Sequence, residues 1–410
     1  MKTFYIFLLP FLFSCRSQVD FHAVEKNIIP SSPEGVYTFN EPSVYEATSE
    51  DSFTISMTYT SGLNEIESQF LKLKSTGDSS CSFEVDDLYS SSPHITLSAC
   101  TGNGRVYLEY GDRNSYEVLI NNDGGPVFSG GWDIYIMKDG LHALVVDSDR
   151  LFKVNLGTGV RTIIHSNSVG SGGADIGGMT SIQVNPAEDT VYAVDASNNT
   201  IVKIDIASGH GEVVSSSAIG SGQNFLNPTR LLVTADESTA YVADRNTHTF
   251  IVVDIATGNR TELSPYVGIC YGMAFGPDED SFYYIERDSD VLFRVNISDD
   301  SKTNIAENLP GDEVDFATAH ALVLDPVNPD NIYVLSPGGA DQVQKVSIST
   351  GEKSIISADG FRGEGLPILE SLGMDISSDG KTLYVIDTSS SYEAIFKVDI
   401  ATGNRSFVSK

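Results

Sequence analysis

Short stretches of alternating apolar and polar residues recur through the second half of the chain, and turn residues bound each of them. Residues 181–184 read SIQV and residues 191–194 read VYAV, with Gly, Asn and Asp nearby. Beta-branched and aromatic residues suit a pleated, half-buried strand, and Gly, Asn and Asp supply the positive φ that hairpin turns need. The pattern predicts short strands, while helical periodicity is nearly absent after the N-terminus.

One phrase returns along the chain, which indicates that a single structural unit is repeated. The phrase VDIATGNR at 253–260 recurs letter for letter at 398–405, and looser copies stand at 153–161, 203–211, 294–302 and 345–353. Successive copies lie 42 to 52 residues apart when aligned on their turn positions, a period that suits a four-stranded propeller blade. Six copies predict six blades, with turn positions at Gly159, Gly209, Gly258, Asp300, Gly351 and Gly403.

Sheets of this size would expose apolar faces if they stood alone, whereas radial packing of six buries those faces. The predicted fold class is therefore all-β, with a six-bladed β-propeller over residues 126–410. The ring could close by direct packing of the last blade on the first, or residues 126–131 could add a clasping strand. The pattern leaves both arrangements open.

The N-terminus predicts export from the cytosol. Lys2 precedes ten apolar residues at 4–13, which is typical of a signal peptide over residues 1–14 and too short for a membrane span. The segment LFSC at 12–15 resembles a bacterial lipobox. That resemblance implies lipidation of Cys15, a polar tether over 15–35, and membrane attachment through the lipid anchor. Arg16 favours the outer membrane or cell surface of the envelope; the alternative is a secreted protein cleaved near Ser14.

Residues 36–122 lack the blade phrase but contain strand-like alternations at the spacing of a small β-sandwich. In an exported chain, Cys81 and Cys100 are expected to form a disulfide, because an oxidising compartment permits it. The segment CTGNGRV at 100–106 resembles a signature of Ig-like modules in bacterial surface proteins, which also implies this pairing. We predict an Ig-like β-sandwich acting as a spacer, followed by a short linker over 121–126.

The charge of the chain excludes one class of partner. There are 56 acidic and 25 basic residues, which give a net charge of −31. Neutralising phosphates requires Lys and Arg, so no nucleic acid is expected as a partner. The acidic surface indicates either binding of cations or basic partners or simply a well-solvated protein.

Five of the predicted second strands end in an acid, and these acids have two interpretations. They could form a cation-collecting ring, or each could accept backbone N–H bonds in the following turn, which is the expectation here. Cys270 stands alone in the propeller and is predicted to be a buried structural thiol. The five acids are Asp147, Asp195, Asp244, Glu286 and Asp387.

The phrases Tyr-Val-x-Asp and Val-Asp-x-x-Thr-Gly resemble those of the NHL and SMP-30/gluconolactonase group of six-bladed propellers, over 132–410. In the hydrolases of that group, Glu, Asn and Asp at the heads of the inner strands hold a divalent metal such as Ca²⁺. Aligning the inner strands puts residues without a carboxylate at these heads, so no metal and no cofactor is predicted. Asp133, Asn227 and Glu370, which neighbour the heads, would supply ligands in the metal-binding alternative. The six heads are Trp132, Thr180, Thr229, Tyr271, His320 and Leu372.

Four of the heads form the predicted binding set. Trp132, Thr229, Tyr271 and His320 would meet a sugar ring or a peptide side chain at one mouth of the propeller, or else simply plug a narrow channel. We therefore predict an envelope-anchored lipoprotein whose propeller is a non-enzymatic binding or interaction platform for a protein or carbohydrate ligand, without catalytic residues. The alternative is an SMP-30/gluconolactonase-like or lyase-like metal-dependent propeller enzyme that hydrolyses a lactone or ester.

Overall fold

The chain is built from short strands joined by tight turns. The computed structural model describes residues 128–409, apart from 264–267, 309–315, 317, 338–341, 366 and 390–392; before residue 128 it describes only the backbone of eight strands. Within those bounds there is no α-helix. Accordingly, no helix of the described part has the length and apolarity needed to cross a membrane.

Two four-stranded sheets precede the propeller, in the region predicted to be Ig-like. Their strand orders are β1-β3-β6-β5 and β2-β8-β7-β4. The Ig-like assignment and the Cys81–Cys100 disulfide concern side chains outside the described residues and stay predictions, as do the signal peptide, Cys15 and the tether. The strands are β1 (Val36–Phe39), β2 (Glu46–Ala47), β3 (Phe53–Ser61), β4 (Leu71–Ser75), β5 (Ser80–Asp86), β6 (His94–Thr101), β7 (Asn103–Tyr110) and β8 (Asn114–Asn121).

Six blades of four antiparallel strands follow, and they confirm the predicted six-bladed β-propeller. A short extra strand, β13 (Ser171–Gly172), pairs in parallel with the outermost strand of the second blade. In each blade the strands run in chain order from the axis outwards. The first blade has β9 (Gly131–Ile136), β10 (His142–Asp147), β11 (Arg150–Asn155) and β12 (Arg161–Ser166). After β13 (Ser171–Gly172), the second has β14 (Met179–Val184), β15 (Thr190–Asp195), β16 (Thr200–Asp205) and β17 (His210–Ser215). The third has β18 (Pro228–Val233), β19 (Thr239–Asp244), β20 (Thr249–Asp254) and β21 (Arg260–Leu263).

The remaining three blades repeat the arrangement. The fourth has β22 (Cys270–Phe275), β23 (Ser281–Glu286), β24 (Val291–Asn296) and β25 (Lys302–Glu307). The fifth has β26 (Ala321–Leu324), β27 (Asn331–Ser336), β28 (Gln342–Ser347) and β29 (Lys353–Ala358). The sixth has β30 (Ser371–Ile376), β31 (Thr382–Asp387), β32 (Ala394–Asp399) and β33 (Arg405–Ser409). The inner strands β9, β14, β18, β22, β26 and β30 surround the axis and therefore position the central site.

Apolar residues on facing blades form a core at every junction of the ring, and the junction between the last and first blades is no exception. There, Phe152 and Val145 of the first blade share a cluster with Ile386 and Ile395 of the sixth. Five further clusters join the successive blades in the same way. Burying both faces of each sheet removes apolar area from water, which is the main force holding such a ring together.

The ring closes by direct packing of the sixth blade on the first. The first sheet contains only β9 to β12, and no clasping strand comes from the described residues 128–130 before it. The contact between β9 and β31, the second strand of the sixth blade, is close at Gly131, where a Cβ would collide with the side chain of Ile386. A side chain at this position would therefore push the closing blades apart.

The repeated phrase is explained by the turn between the third and fourth strands of a blade. In the third blade, Asp254 Oδ1 accepts hydrogen bonds from the backbone N–H (2.8 Å) and the hydroxyl (2.7 Å) of Thr257. Gly258 follows with a φ of 71°, in the left-handed region that Gly adopts without strain. Asn259 Oδ1 then accepts the N–H of Ser221, which lies in the connection from the preceding blade (2.9 Å).

The last letter of the phrase, Arg, ties neighbouring blades together. Arg260 Nη1 donates to Ser215 Oγ at the end of the preceding blade (2.7 Å), and that hydroxyl donates to the carbonyl of Gly258 (2.8 Å). Ser357 makes the same pair of bonds with Arg405 and Gly403. Across the closing junction, Ser409 Oγ donates to the carbonyl of Gly159 (2.7 Å) and accepts from Arg161 Nη1 (3.3 Å). Each of these three copies therefore contributes hydrogen bonds to one junction of the ring.

Candidate functional site

The heads of the inner strands converge on one buried guanidinium, that of Arg230. Its Nη1 donates to the carbonyl oxygens of Thr180 (2.7 Å) and Thr229 (3.0 Å). Its Nη2 donates to those of His320 (2.9 Å) and Leu372 (3.3 Å). These acceptors belong to four different blades, so four of the strand heads meet at one guanidinium. Arg230 is only 5% exposed and closes the axis between the strands.

Arg230 separates two cavities on the axis. The mouth cavity lies at the strand heads, has a volume of about 240 Å³ and is lined by Trp132, Thr180, Asn227, Thr229, Arg245 and Tyr271, with Arg230 at its base. The hub cavity lies further along the inner strands and has a volume of about 340 Å³. The polar side chains that line it are Asp133, Ser181, Gln183, Glu279 and Asp375, together with Arg230.

One wall of the mouth is aromatic. The rings of Tyr271 and His320 are stacked, with centroids 5.1 Å apart and planes inclined by 19°. Arg245 Nη1 donates to the Tyr271 hydroxyl (2.9 Å), and its guanidinium carbon lies 5.9 Å from the ring centre. Arg287 places its guanidinium carbon 5.5 Å from the same ring centre. The negative face of the ring attracts both cations, which holds them at the mouth.

Burial and the nearby positive charges keep His320 neutral. Burial, followed by the positive charges of Arg230 and Arg287, lowers the pKa of His320 to about 4. Its Nδ1 is buried and has no hydrogen-bond partner within the described part of the chain. Since no carboxylate orients or charges this ring there, His320 is poorly suited to act as a general base.

The acids that end the second strands hold the turns beside the mouth, as predicted. Asp244 Oδ1 accepts the N–H groups of Asn246 (3.1 Å) and Thr247 (3.0 Å) in the following turn. Its Oδ2 accepts the N–H of Leu226 (2.7 Å), in the loop that leads into the inner strand β18. Asp195 binds its own turn and the N–H of Gly177 in the same manner. These carboxylates therefore fix the approach to the heads and are occupied by backbone donors.

The predicted binding residues have different local roles. Trp132 and Tyr271 line the mouth cavity with partly exposed rings. Thr229 also lines it, but its hydroxyl donates to the carbonyls of Cys270 (2.9 Å) and Ala243 (3.2 Å) and thereby joins the third blade to the fourth. His320 reaches the site through its stacking on Tyr271. The structure thus brings the four residues to one mouth, although Thr229 serves mainly to join blades.

The three residues of the metal-binding alternative lie in different settings. Asn227 lines the mouth cavity, and its N–H is bound by Asp244. Glu370 is exposed, and its carbonyl accepts the hydroxyl of Thr388 (2.8 Å). Among the residues that the structure describes, no three His, Cys, Asp or Glu side chains are grouped as a metal site requires. Asp133 lines the hub cavity and accepts the N–H of Ile182. The metal-binding alternative stays a prediction.

The hub cavity is acidic, in contrast to the mouth. Asp133 Oδ2 accepts the N–H of Ile182 in the next blade (3.0 Å), and Asp375 Oδ2 accepts that of Ile136 across the closing junction (2.6 Å). Burial raises the pKa of Asp133, against the opposing effect of Arg230. Burial, aided by the charge of Asp133, raises the pKa of Asp375 to about 7. Through the hydrogen bonds to Ile182 and Ile136, both side chains join neighbouring blades.

Cys270 has the structural role predicted for it. Its side chain is 1% exposed, and burial raises the pKa of the thiol to about 12. The thiolate is the nucleophilic form, and it is nearly absent at neutral pH when the pKa is this high.

Three arginines of the site were not predicted from the sequence, namely Arg230, Arg245 and Arg287. Arg230 directly follows the head Thr229, where the strand alternation turns a side chain toward the axis. Its position in the strand could therefore have predicted an arginine on the axis. Arg245 and Arg287 directly follow the acids that end β19 and β23, and only the folded ring brings them to Tyr271.

The fold and this axial site define the class of the protein as a six-bladed β-propeller. No protein-family model and no curated protein matches the chain. Among solved structures, it is similar to a chain of a nidogen/laminin complex, with a TM-score of 0.51 and 13% identity over 64% of this chain and 91% of that one. It is also similar to hydrazine synthase of Kuenenia stuttgartiensis, with a TM-score of 0.46 and 15% identity over 68% and 80% of the chains. The first likeness supports the propeller fold.

Proposed function

We propose that this protein is a non-enzymatic binding protein of the cell envelope, whose ligand enters the mouth cavity. The observation that carries the proposal is the composition of that cavity. Aromatic side chains and hydrogen-bond donors meet at an open end of the axis, and Arg230 closes the cavity from below. Small-ligand sites typically combine an aromatic lining with a few placed polar groups in this way.

The titratable groups near the mouth support binding over catalysis. His320 is neutral and lacks a carboxylate partner among the described residues, and the Cys270 thiol is buried and protonated. A nucleophile with an adjacent base, or two acids with separated roles, would be needed for hydrolysis. Neither arrangement occurs in the described part of the mouth. The likeness to a chain from a complex of two proteins is compatible with binding and adds nothing on the ligand.

The location in the envelope rests on the N-terminal sequence. In the proposal, a signal peptide directs export, lipidated Cys15 anchors the chain, and the tether with the Ig-like module raises the propeller above the membrane. Fatty-acid labelling of the full chain expressed in a bacterial host tests the anchor. We expect label in the wild type and none in Cys15→Ser, which should also leave the membrane fraction. Equal labelling of the two proteins would contradict the anchor.

Ligand binding can be measured with a reporter that the site itself contains. Trp132 is the single tryptophan of the chain, so all tryptophan emission comes from the mouth. We would titrate the full chain with a panel of monosaccharides and short peptides and follow this emission. A saturable change that Tyr271→Ala abolishes is the expected result. The matched control is Phe361→Ala, since Phe361 is 67% exposed and absent from the mouth lining.

Two results would overturn the proposed function. One is binding that survives Tyr271→Ala unchanged, because the ligand site would then lie elsewhere. The other is hydrolysis of gluconolactone that requires added Ca²⁺ and is lost in both Asn227→Ala and Glu370→Ala. That result would establish the metal-dependent enzyme instead.

A further inference from the structure

The mouth cavity differs in charge from the molecule that surrounds it. The chain carries a net charge of −31, yet none of the described residues lining this cavity is Asp or Glu. Its charged lining residues are Arg230 and Arg245, and Arg287 lies against the same aromatic wall. The nearby carboxylates Asp195 and Asp244 are directed to backbone N–H groups. The mouth is therefore a local site of positive charge on an acidic protein.

Donors at this mouth remain available. Arg245 is exposed and uses one N–H for the Tyr271 hydroxyl. Arg287 contacts the ring of Tyr271, and its side chain makes no hydrogen bond or ion pair with the described residues. The Tyr271 hydroxyl accepts from Arg245 and keeps its own proton to donate. A planar guanidinium matches a carboxylate with two parallel N–H bonds, which are strong when the acceptor is charged.

The size of the cavity and the overall charge limit what can bind. A volume of about 240 Å³ is below the usual range of drug-sized sites and accommodates a body of about one ring. Trp132 and Tyr271 offer aromatic surfaces for that ring. A polyanion would be repelled by the net charge of −31 before reaching the mouth, whereas a ligand with one negative charge is repelled far less.

We infer that the mouth cavity binds a small molecule that carries a single carboxylate on a ring-sized body. The ring lies against Tyr271 and Trp132, and the carboxylate accepts hydrogen bonds from Arg245 and Arg287. This inference rests on the proposed function, since it uses the same cavity, but it adds the chemical class of the ligand.

Matched acid and neutral compounds test the inference. We would titrate the full chain at constant ionic strength with glucuronate against glucose, and with benzoate against benzamide, following Trp132 emission and heat of binding. The expected result is saturable binding of at least one acid and a dissociation constant at least about tenfold weaker for its neutral counterpart, because charge-assisted hydrogen bonds are lost. Raising the salt concentration should weaken binding of the acid.

Substitutions of the two mouth arginines test whether they bind the carboxylate of the ligand. Arg245→Gln and Arg287→Gln should each weaken binding of the acid about tenfold or more while leaving any binding of the neutral compound unchanged. The matched control is Arg294→Gln. Arg294 lies on the third strand of its blade, pairs with Asp280 and is absent from the mouth lining. Unchanged binding of the acid in both mouth variants would overturn the inference.

The remaining outcomes separate this inference from the proposed function. If acids and neutral compounds bind equally and Tyr271→Ala abolishes both, the ligand class is wrong and the proposed function stands. If glucose 6-phosphate binds more tightly than glucuronate, the site selects phosphate, and the inference is wrong. If none of these compounds binds, the inference is wrong as well, while the proposed function is judged on the wider panel.

Discussion

The two cavities on the propeller axis share four inner strands, β9, β14, β18 and β22, and yet have opposite characters. The mouth cavity contains aromatic rings and arginines, with no Asp or Glu in its described lining. The hub cavity contains Asp133 and Asp375, whose carboxylates bind backbone N–H groups of neighbouring blades. Arg230 lies between them and belongs to both. The polar groups of the hub therefore hold the blades together, whereas the arginines of the mouth keep N–H donors available for a ligand.

The largest effect should follow from replacing Arg230, which separates the two cavities. In Arg230→Met, four strand-head carbonyls lose a donor and the buried Asp133 loses its nearby positive charge. Breaking such a buried arrangement costs about 3–5 kcal/mol of unfolding free energy. Urea unfolding measures it, with Arg245→Met as the exposed control, expected to change stability by less than about 0.5 kcal/mol. Equal losses of unfolding free energy in the two variants would show that Arg230 has no special structural role.

At the mouth, the next largest effect concerns binding and leaves stability nearly unchanged. Tyr271→Phe keeps the ring stacked on His320 but removes the hydroxyl that receives Arg245. With that guanidinium no longer held, we expect ligand affinity to fall by about fivefold to tenfold, in line with a lost hydrogen bond of about 1 kcal/mol. Titration by Trp132 emission gives the affinity. An unchanged affinity would show that Arg245 needs no support from Tyr271.

The hub cavity should determine how stability depends on pH. The pKa of Asp375 is raised to about 7 by burial, from 3.8. The folded state therefore holds its proton more tightly than the unfolded state, and the resulting stability is full below about pH 4 and lost as pH rises toward 7.

Asp375→Asn should remove this dependence, because the amide mimics the protonated carboxyl and still accepts the N–H of Ile136. A tenfold change in proton affinity corresponds to about 1.4 kcal/mol, so we expect the variant to be at least that much more stable at pH 8. Urea unfolding at pH 5 and pH 8 checks the prediction. A variant that is less stable than the wild type at both values would contradict it.

The smallest effect is the titration of His320 at the mouth. Burial and the charges of Arg230 and Arg287 lower its pKa to about 4, so the unfolded state binds its proton more tightly between about pH 4 and 6.5. The stability contribution of this group rises with pH through that window and is complete above it. NMR of labelled histidine, assigned with His320→Gln, should show a midpoint near 4. A midpoint near 6.5 would mean that the ring is solvated and away from the arginines.

The blades were predictable from the sequence, whereas the character of the site was only partly so. The repeated phrase could be recognised because its letters are neighbours in the chain. In the copies that end in Arg260 and Arg405, these residues form the turn and bind the preceding blade. The positions of Trp132, Tyr271 and His320 also followed from aligning the inner strands. Arg230, however, stands one residue beyond the head Thr229, a position that aligning the heads alone does not mark. Arg245 and Arg287 reach the mouth from two different blades, a proximity that no local pattern encodes.

The central claim is that ligand enters at the mouth and that the hub is structural. The most direct test is a Trp132 emission titration with the tightest-binding compound of the panel, in the wild type, Tyr271→Ala and Asp375→Asn. We predict that Tyr271→Ala abolishes binding and that Asp375→Asn leaves the dissociation constant unchanged. Loss of binding in Asp375→Asn, with binding retained in Tyr271→Ala, would place the ligand in the hub and contradict the claim.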